Sequence, residues 1–501
     1  MKIVYLSHDY PIPTINRRRS GFTIYTKDKI CFSFQIFSKE GENLNNQNSK
    51  RTYLFEKAPV PKAVLSLVIP TVISQIITII YNFADTWFVG RTGDDAAVAA
   101  VSVAMPLFIV MTGLSNLFGI GGAGVISRSL GKKNTQDARK AFAFSLWTSI
   151  GVAIIYSVII FFFGKNLVSI IGGNSESEKY ILNYLFWTIV VGGVPTMLVA
   201  LLGHLVRASG KAKASGFFMS LGAVLNIILD PIFMFVLLPK GNEVTGAALA
   251  TMLSNTLAAA AFIIYVKLSK DDVFTLNIRD YSLKKEIVSD VLGTGAPACL
   301  STCLAMVSNI AANKLMSDYT NAAVAGLGIA KKANTLAFHV NLGLTQGVLP
   351  LIGYNYAAKN FDRMKKTIGF TFGVAIGFSV ICTLVYRTFP GQITKFFIND
   401  AETIAEGTKL LPTLSVAVVF CAMTYLMNTI FQATGQKLYS LLTSIMRKGI
   451  FDIPLMFLFK HYWQETGIVA ATPTAEVLSI FVSLFLLFRF FGRLKKQAQN
   501  V

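Results

Sequence analysis

Asn226 and Asp230 stand four residues apart in the stretch LNIILDPIFMF at 225–235, which is otherwise apolar but for Pro231. On a helix that spacing sets an amide and a carboxyl on one face. Pro231 has no N–H, so the carbonyl of Ile227 loses its helical donor on the same turn. A carboxylate, an amide oxygen and a freed carbonyl are hard oxygen ligands, suited to a proton or a small hard cation. A second acid, Asp85, lies in IIYNFADTWFVG at 79–90, with Tyr81 four residues before it on the same face. Thr251, one apolar segment later than Asp230, can add a hydroxyl. An ionisable group at mid-bilayer costs about 2.5–3.5 kcal/mol on insertion scales, so such groups face a cavity or a partner. The alternative is a structural hydrogen-bond network around Asp230. For Asp85, near a helix end, headgroups and water offer a further one. Pro70, well before Asp85 in the same segment, is either a static kink or a hinge that responds to the charge on Asp85.

The other half of the chain carries different polar groups. These are Asn309, Asn313 and Lys314, then Lys331, Lys332 and His339, then Arg447, Lys448 and Asp452 in MRKGIFDIP, then Glu476. Lys448 and Asp452, at i and i+4, read as a self-neutralising pair. Arg447 and Glu476 are candidates to line a cavity, and His339 reads as a satisfied polar contact. No set resembles a catalytic cluster. His8, His204, His339 and His461 sit in separate elements, and no H-E-x-x-H occurs. Of the five cysteines, Cys299 and Cys303 are one helical turn apart but have no His or carboxylate beside them, so they read as packing residues. A phosphate-binding G-x-x-x-x-G-K-[ST] loop is absent too. An enzyme and a directly ATP-driven pump are therefore disfavoured, and no cofactor is expected beyond a coupling ion.

The elements that must hold these groups are membrane helices. Of 501 residues, 53% are hydrophobic and only 14% charged, with a mean hydropathy of +0.55; a soluble domain carries about a quarter charged residues. Twelve apolar segments fall near 63–90, 96–127, 141–163, 181–206, 215–238, 246–268, 288–315, 323–352, 367–388, 408–432, 438–460 and 467–490, most of them long enough for the roughly 20 residues a crossing needs. The formal charge of +20 is a matter of topology rather than nucleic acid. Bases crowd the even-numbered connections (SRSLGKKNTQDARKA, RASGKAKAS, AAKNFDRMKKT) and are sparser in the odd-numbered ones. That places both termini in the cytoplasm of a multi-pass protein.

The chain is also a duplication. DAAVAAVSVA at 95–104 resembles NAAVAGLGIA at 321–330, and TGAALAT at 245–251 resembles TGIVAAT at 466–472. Six segments followed by six in the same orientation imply two lobes related by an axis along the membrane normal. The divisions are a polar N-terminal extension at 1–54, disordered or a start placed too far upstream; an N-lobe at 55–270; a cytoplasmic linker at 271–286; a C-lobe at 287–492; and a basic tail at 493–501.

Taken together, FEKAPVPKAVL at 55–65, NLFGIGGAGVISRSLGKKN at 116–134, RASGKAKAS at 207–215, LNIILDPIFMF at 225–235, TGAALATMLSN at 245–255, GVLPLIGYNYAAKN at 347–360 and QATGQ at 432–436 resemble the multidrug and toxic compound extrusion (MATE) family, in particular its MepA-like multidrug exporters. The resemblance covers roughly residues 55–492. It implies an all-α fold of twelve transmembrane helices in two pseudo-symmetric six-helix lobes, in the plasma membrane and functional as a monomer. It implies antiport of cationic, often aromatic drugs against Na⁺ or H⁺. Asp85, Asn226 and Asp230 would form the cation site, where Na⁺ could bind, with Thr251 and Tyr81 beside them and Pro70 as the bending proline. Some members also use acids in helices seven and ten; here segment seven offers Asn313 and Lys314, and segment ten has no acid. Asn309, Asn313, Arg447, Asp452 and Glu476 are then possible C-lobe cavity residues. Lys331, Lys332, Arg447 and Lys448 keep open a second reading, a flippase for lipid-linked, phosphorylated substrates.

Overall fold

The computed structural model describes residues 14–18, 21–25, 32–34, 49–91, 95–170, 177–239 and 241–499. Cys31, the polar run 43–48 and residues 500–501 lie outside them. Two units separate, Met1–Tyr53 and Leu54–Val501. In the first, β1 (Thr14–Arg18), β2 (Gly21–Tyr25) and β3 (Phe32–Phe34) form an antiparallel meander. These strands fall within the N-terminal extension at 1–54. β-Branched and aromatic residues in Thr14–Arg18, Gly21–Tyr25 and Phe32–Phe34 supply the strand preference.

The second unit is helical. The N-lobe holds α1 (Val60–Gly90), α2 (Asp95–Gly131), α3 (Thr135–Ile170), α4 (Glu178–Leu185), α5 (Gly193–Ala208), α6 (Ala212–Ile232) and α7 (Glu243–Leu268). The C-lobe holds α8 (Lys285–Met316), α9 (Asn321–Ala357), α10 (Phe361–Thr388), the short α11 (Pro390–Phe397), α12 (Ala401–Ala433), α13 (Lys437–Ile445) and α14 (Ile453–Gln499). The basic tail expected from 493 is thus mostly the last turns of α14.

These make twelve spans. Ten helical runs among the described residues are long and apolar enough to cross a membrane, and α4 and α5, bent by 53° about a π-turn, act together as an eleventh. The twelfth is concealed in the 60-residue run Lys437–Lys496. At 1.5 Å per residue that run would reach roughly 90 Å, about three bilayer cores. It breaks at Gln464, whose φ of 51° and ψ of −131° are not helical. Thr472 consequently returns to within 3.0 Å of Asp452, twenty residues earlier. On a straight helix the two would lie roughly 30 Å apart. The outer faces are apolar: Phe162 is 71% exposed and Phe488 73%, as expected of helices whose solvent is lipid.

Phe83 of α1 and Phe397 of α11 approach across the lobes with ring centroids 6.1 Å apart, but the closest packing is at the end carrying the basic even-numbered connections. There the backbones of α2 and α8 nearly touch. A Cβ on Gly121 would come within 2.2 Å of the Val291 carbonyl oxygen, and one on Gly295 within 1.7 Å of that of Leu117. On α9, a Cβ on Gly343 or Gly347 would come within 2.9 or 2.8 Å of the Cα of Val72 or Val68 of α1. Arg128 closes the seam from the C-terminal end of α2. Its Nη1 donates to the carbonyls of Gln432 and Ala433 at 3.0 and 3.3 Å, and its Nη2 to Thr294 Oγ1 at 3.4 Å. The segment before α1 adds a strap across to the other lobe. Phe55 is fully buried, its carbonyl accepts from Arg363 Nε at 2.7 Å, and Tyr354 donates to Glu56 Oε1 at 2.7 Å.

The loops at this end are also tied down. Asp280 accepts from Arg139 Nε at 2.9 Å and from Thr275. Burial opposes ionisation of this loop carboxyl, yet those two donors hold it below its ordinary value.

Candidate polar site in the N-lobe and its counterpart in the C-lobe

In the N-lobe, α6 carries the pair that its sequence spacing predicts. Asp230 is completely buried and Asn226 nearly so. The amide of Asn226 satisfies its surroundings when Nδ2 points to Asp230 Oδ2 at 2.7 Å and Oδ1 accepts from the N–H and Oγ1 of Thr251, both at 3.1 Å. Thr251, on α7, is buried with them. Tyr81 of α1 lies beside Thr251 and within the field of Asp85 and Asp230. Asp85 in turn stands close enough to Asp230 for the two carboxyls to interact. Five sequence-predicted residues, Tyr81, Asp85, Asn226, Asp230 and Thr251, thus come from α1, α6 and α7 into one neighbourhood.

The residue that sequence reasoning missed is Tyr184, at the end of α4, which shares this electrostatic environment with Asp85, Tyr81 and Asp230. A signal exists, a Tyr two residues ahead of FWTIVV, but its position depends on the π-turn Phe186–Val191 that follows. A second π-turn, Phe233–Leu237, begins three residues after Asp230, where Pro231 has already removed one donor from the ladder.

In the C-lobe, α13 leads into a π-turn, Met446–Asp452, that contains Arg447, Lys448 and Asp452. Asp452 is completely buried and fully bonded. Oδ2 accepts from Lys448 Nζ at 2.8 Å and Ser308 Oγ at 2.6 Å, and Oδ1 from Thr472 Oγ1 at 3.0 Å. Arg447 and Glu476 form a second closed pair. Arg447 Nη1 donates to Glu476 Oε1 at 3.2 Å, Nη2 to Ser301 Oγ at 3.0 Å, and the guanidinium covers the ring of Tyr425 at 4.5 Å. Glu476 also accepts from Thr424 at 2.8 Å.

The remaining C-lobe candidates divide. Asn309 lines the central cavity. Asn313 accepts from Lys331 Nζ at 3.1 Å instead. Glu476 does not line the cavity; its partner Arg447 does. His339, expected to be a satisfied contact, has a buried Nδ1 without a partner. Cys299 and Cys303 are free thiols packed beside Gly113, as expected of packing residues. No group of three or more His, Cys, Asp or Glu among the described residues could hold a metal.

Comparison with known proteins agrees with this architecture. The family model described as MatE matches residues 70–232 and 297–458, one stretch in each lobe. The chain is 30% identical over 449 residues to the multidrug export protein MepA of Staphylococcus aureus (strain MSSA476), covering 89% of this chain and 97% of that one. It is likewise 30% identical over 446 residues to MepA of Staphylococcus saprophyticus, with the same coverage. Among solved structures, a MATE in complex with MaL6 superposes with a TM-score of 0.84 at 22% identity, over 89% of this chain and 99% of that one. An outward-facing multidrug resistance MATE family transporter of the MOP superfamily does so with 0.80 at 23%, over the same shares. The chain belongs to the multidrug and toxic compound extrusion (MATE) family of membrane transporters.

Proposed function

We propose that this protein is a multidrug exporter of the plasma membrane that drives organic, often aromatic cations outward in exchange for Na⁺ or H⁺ entering at Asp230, Asn226 and Asp85. The observation that carries the reading is the charge balance at Asp230. This carboxyl is buried beside a second acid and an amide, with no basic side chain among the partners described above. A buried carboxylate without a counter-charge is costly. An incoming cation or proton removes that cost, so ion binding and the local structure are coupled. The relatives named as multidrug export proteins support the substrate class.

On this reading the basic loops place the close-packed end and both termini in the cytoplasm, so the cavity would face outward. Pro70 lies on α1 next to this site's lobe partner: a Cβ on Gly216 of α6 would come within 2.5 Å of its carbonyl. A change of charge at Asp85 and Asp230 would act on α1 at this hinge. A ligand shifts such an equilibrium only by its preference for one state. The two ions make different demands. A proton needs only an oxygen of Asp230. Na⁺ needs the Asn226 amide to turn its oxygen away from Thr251.

The test is ethidium movement in proteoliposomes under separately imposed Na⁺ and H⁺ gradients, in wild type and Asp230→Asn. One gradient should drive transport in the wild type, and the folded variant should lose it. Normal coupling in Asp230→Asn would make the carboxyl structural and return weight to the C-lobe bases and the flippase reading.

A further inference from the structure

The central cavity between the lobes, about 320 Å³, reaches the close-packed seam, since Ile120, next to Gly121, and Gln432, bonded by Arg128, are among its lining residues. Its lining contains apolar surface from Ile109, Ile120, Met306, Leu342 and Leu349, and the ring of Tyr425. No Asp or Glu is among its described lining residues, whereas Arg207 and Arg447 both are. Arg447 is committed to Glu476, Ser301 and Tyr425. Arg207 is not committed in this way.

Arg207 ends α5 and is only 2% exposed. Its Nη1 donates to Gln346 Oε1 at 3.1 Å, its Nη2 finds only the sulfur of Met219 at 3.5 Å, and its Nε has no partner. A guanidinium stays charged under any physiological condition and presents its donors as a planar fork. Burying that charge without an anion costs several kcal/mol. The fork matches a carboxylate or phosphate in two parallel hydrogen bonds. A cavity built only to hold cations would not have this charge in its floor.

We propose that the seam end of the cavity is a binding site for the carboxylate of an aromatic organic ligand, with Arg207 as its anchor. The apolar walls take the aromatic body, and the unpaired edge of the guanidinium takes the carboxylate. The inference rests on the reading of this cavity as the substrate path. It extends the substrate class from simple cations to aromatic compounds that carry an acid, zwitterions included.

Purified full-length protein in detergent is titrated with 1-pyrenebutanoate, its methyl ester and 1-pyrenylmethyl phosphate, followed by pyrene fluorescence. The acid should bind about tenfold or more tighter than the ester, the margin of a charge-assisted hydrogen bond. That ratio should fall to about one in Arg207→Gln and survive in part in Arg207→Lys. Equal binding of acid and ester by the wild type, or an unchanged ratio in Arg207→Gln, overturns the proposal. So does a tenfold preference for the phosphate monoester over the acid, which would assign the site to phosphorylated substrates. If Arg207→Gln fails to fold, the wild-type ratio and Arg207→Lys decide. Ion-driven ethidium transport in liposomes is read separately. Coupled transport without the acid preference sinks this inference alone, and the acid preference without coupled transport sinks the antiport reading alone.

Discussion

The two lobes solve one problem in two ways. In each, a fully buried aspartate sits near a π-turn, meets a polar side chain four residues earlier, and lies beside a threonine of the following span. In the N-lobe the residues are Asn226, Asp230 and Thr251; in the C-lobe they are Lys448, Asp452 and Thr472. The threonines close the repeated stretches TGAALAT and TGIVAAT. The difference is one side chain, an amide where the other lobe has an ammonium. Lys448 gives Asp452 a permanent counter-charge. Asn226 gives Asp230 a hydrogen bond but no charge, so its neutralisation must come from outside. On the proposed function, duplication leaves one site to respond to ions and keeps the other closed.

Transplanting the closed solution tests this most severely. Asn226→Lys should pair with Asp230 as Lys448 pairs with Asp452, so the protein should fold with little change in Tm. Gradient-driven ethidium transport should nevertheless fall by two orders of magnitude or more. Retained coupling would show that the charge balance at Asp230 is not what drives the cycle. Opening the closed site should act on stability instead. Lys448→Ala leaves the Asp452 carboxylate buried without its cation, at a cost of about 3–5 kcal/mol. The double variant Lys448→Ala/Asp452→Asn should recover much of that, measured by thermal unfolding in detergent.

The seam offers a smaller effect. Gly295→Ala places a methyl against the Leu117 carbonyl and should cost about 1–3 kcal/mol. It should also raise labelling, from the basic-loop end, of a cysteine placed at Thr345. Unchanged labelling would mean that the lobes adjust around the methyl without parting. At the surface, Arg139→Ala should cost about 1 kcal/mol or less, since exposed pairs contribute little. Its partner Asp280 is held below its ordinary value, so any contribution is present above the unfolded-state value and disappears as pH falls through the folded one. Unfolding followed between neutral and acidic pH reads this.

Much of this arrangement was legible in the sequence because lipid leaves few options. Twelve apolar runs, the alternation of bases and the isolated Asp230 each stand out against a background of 53% hydrophobic residues. The i, i+4 spacing of Asn226 and Asp230 carried directly into space because it lies within one helix. Placing Thr251 and Tyr81 beside them required the resemblance, since contacts between helices are not written in local spacing. Tyr184 escaped because the bend between α4 and α5 sets its position. The pairing of Arg447 with Glu476 was hidden for the same reason, as the two sit on different spans.

The seam of α2 against α8 has an electrical consequence. Backbone pressed on backbone leaves little space for water or ions between the lobes, so the membrane voltage falls mainly across this thin partition and not across the open cavity above it. A unit charge crossing 100 mV exchanges about 2.3 kcal/mol. If the proposed exchange holds and the partition re-forms at the other end, a cation at Asp230 would traverse that voltage without leaving its ligands. Movement of an insulator past a stationary charge would then make the membrane potential part of the driving force.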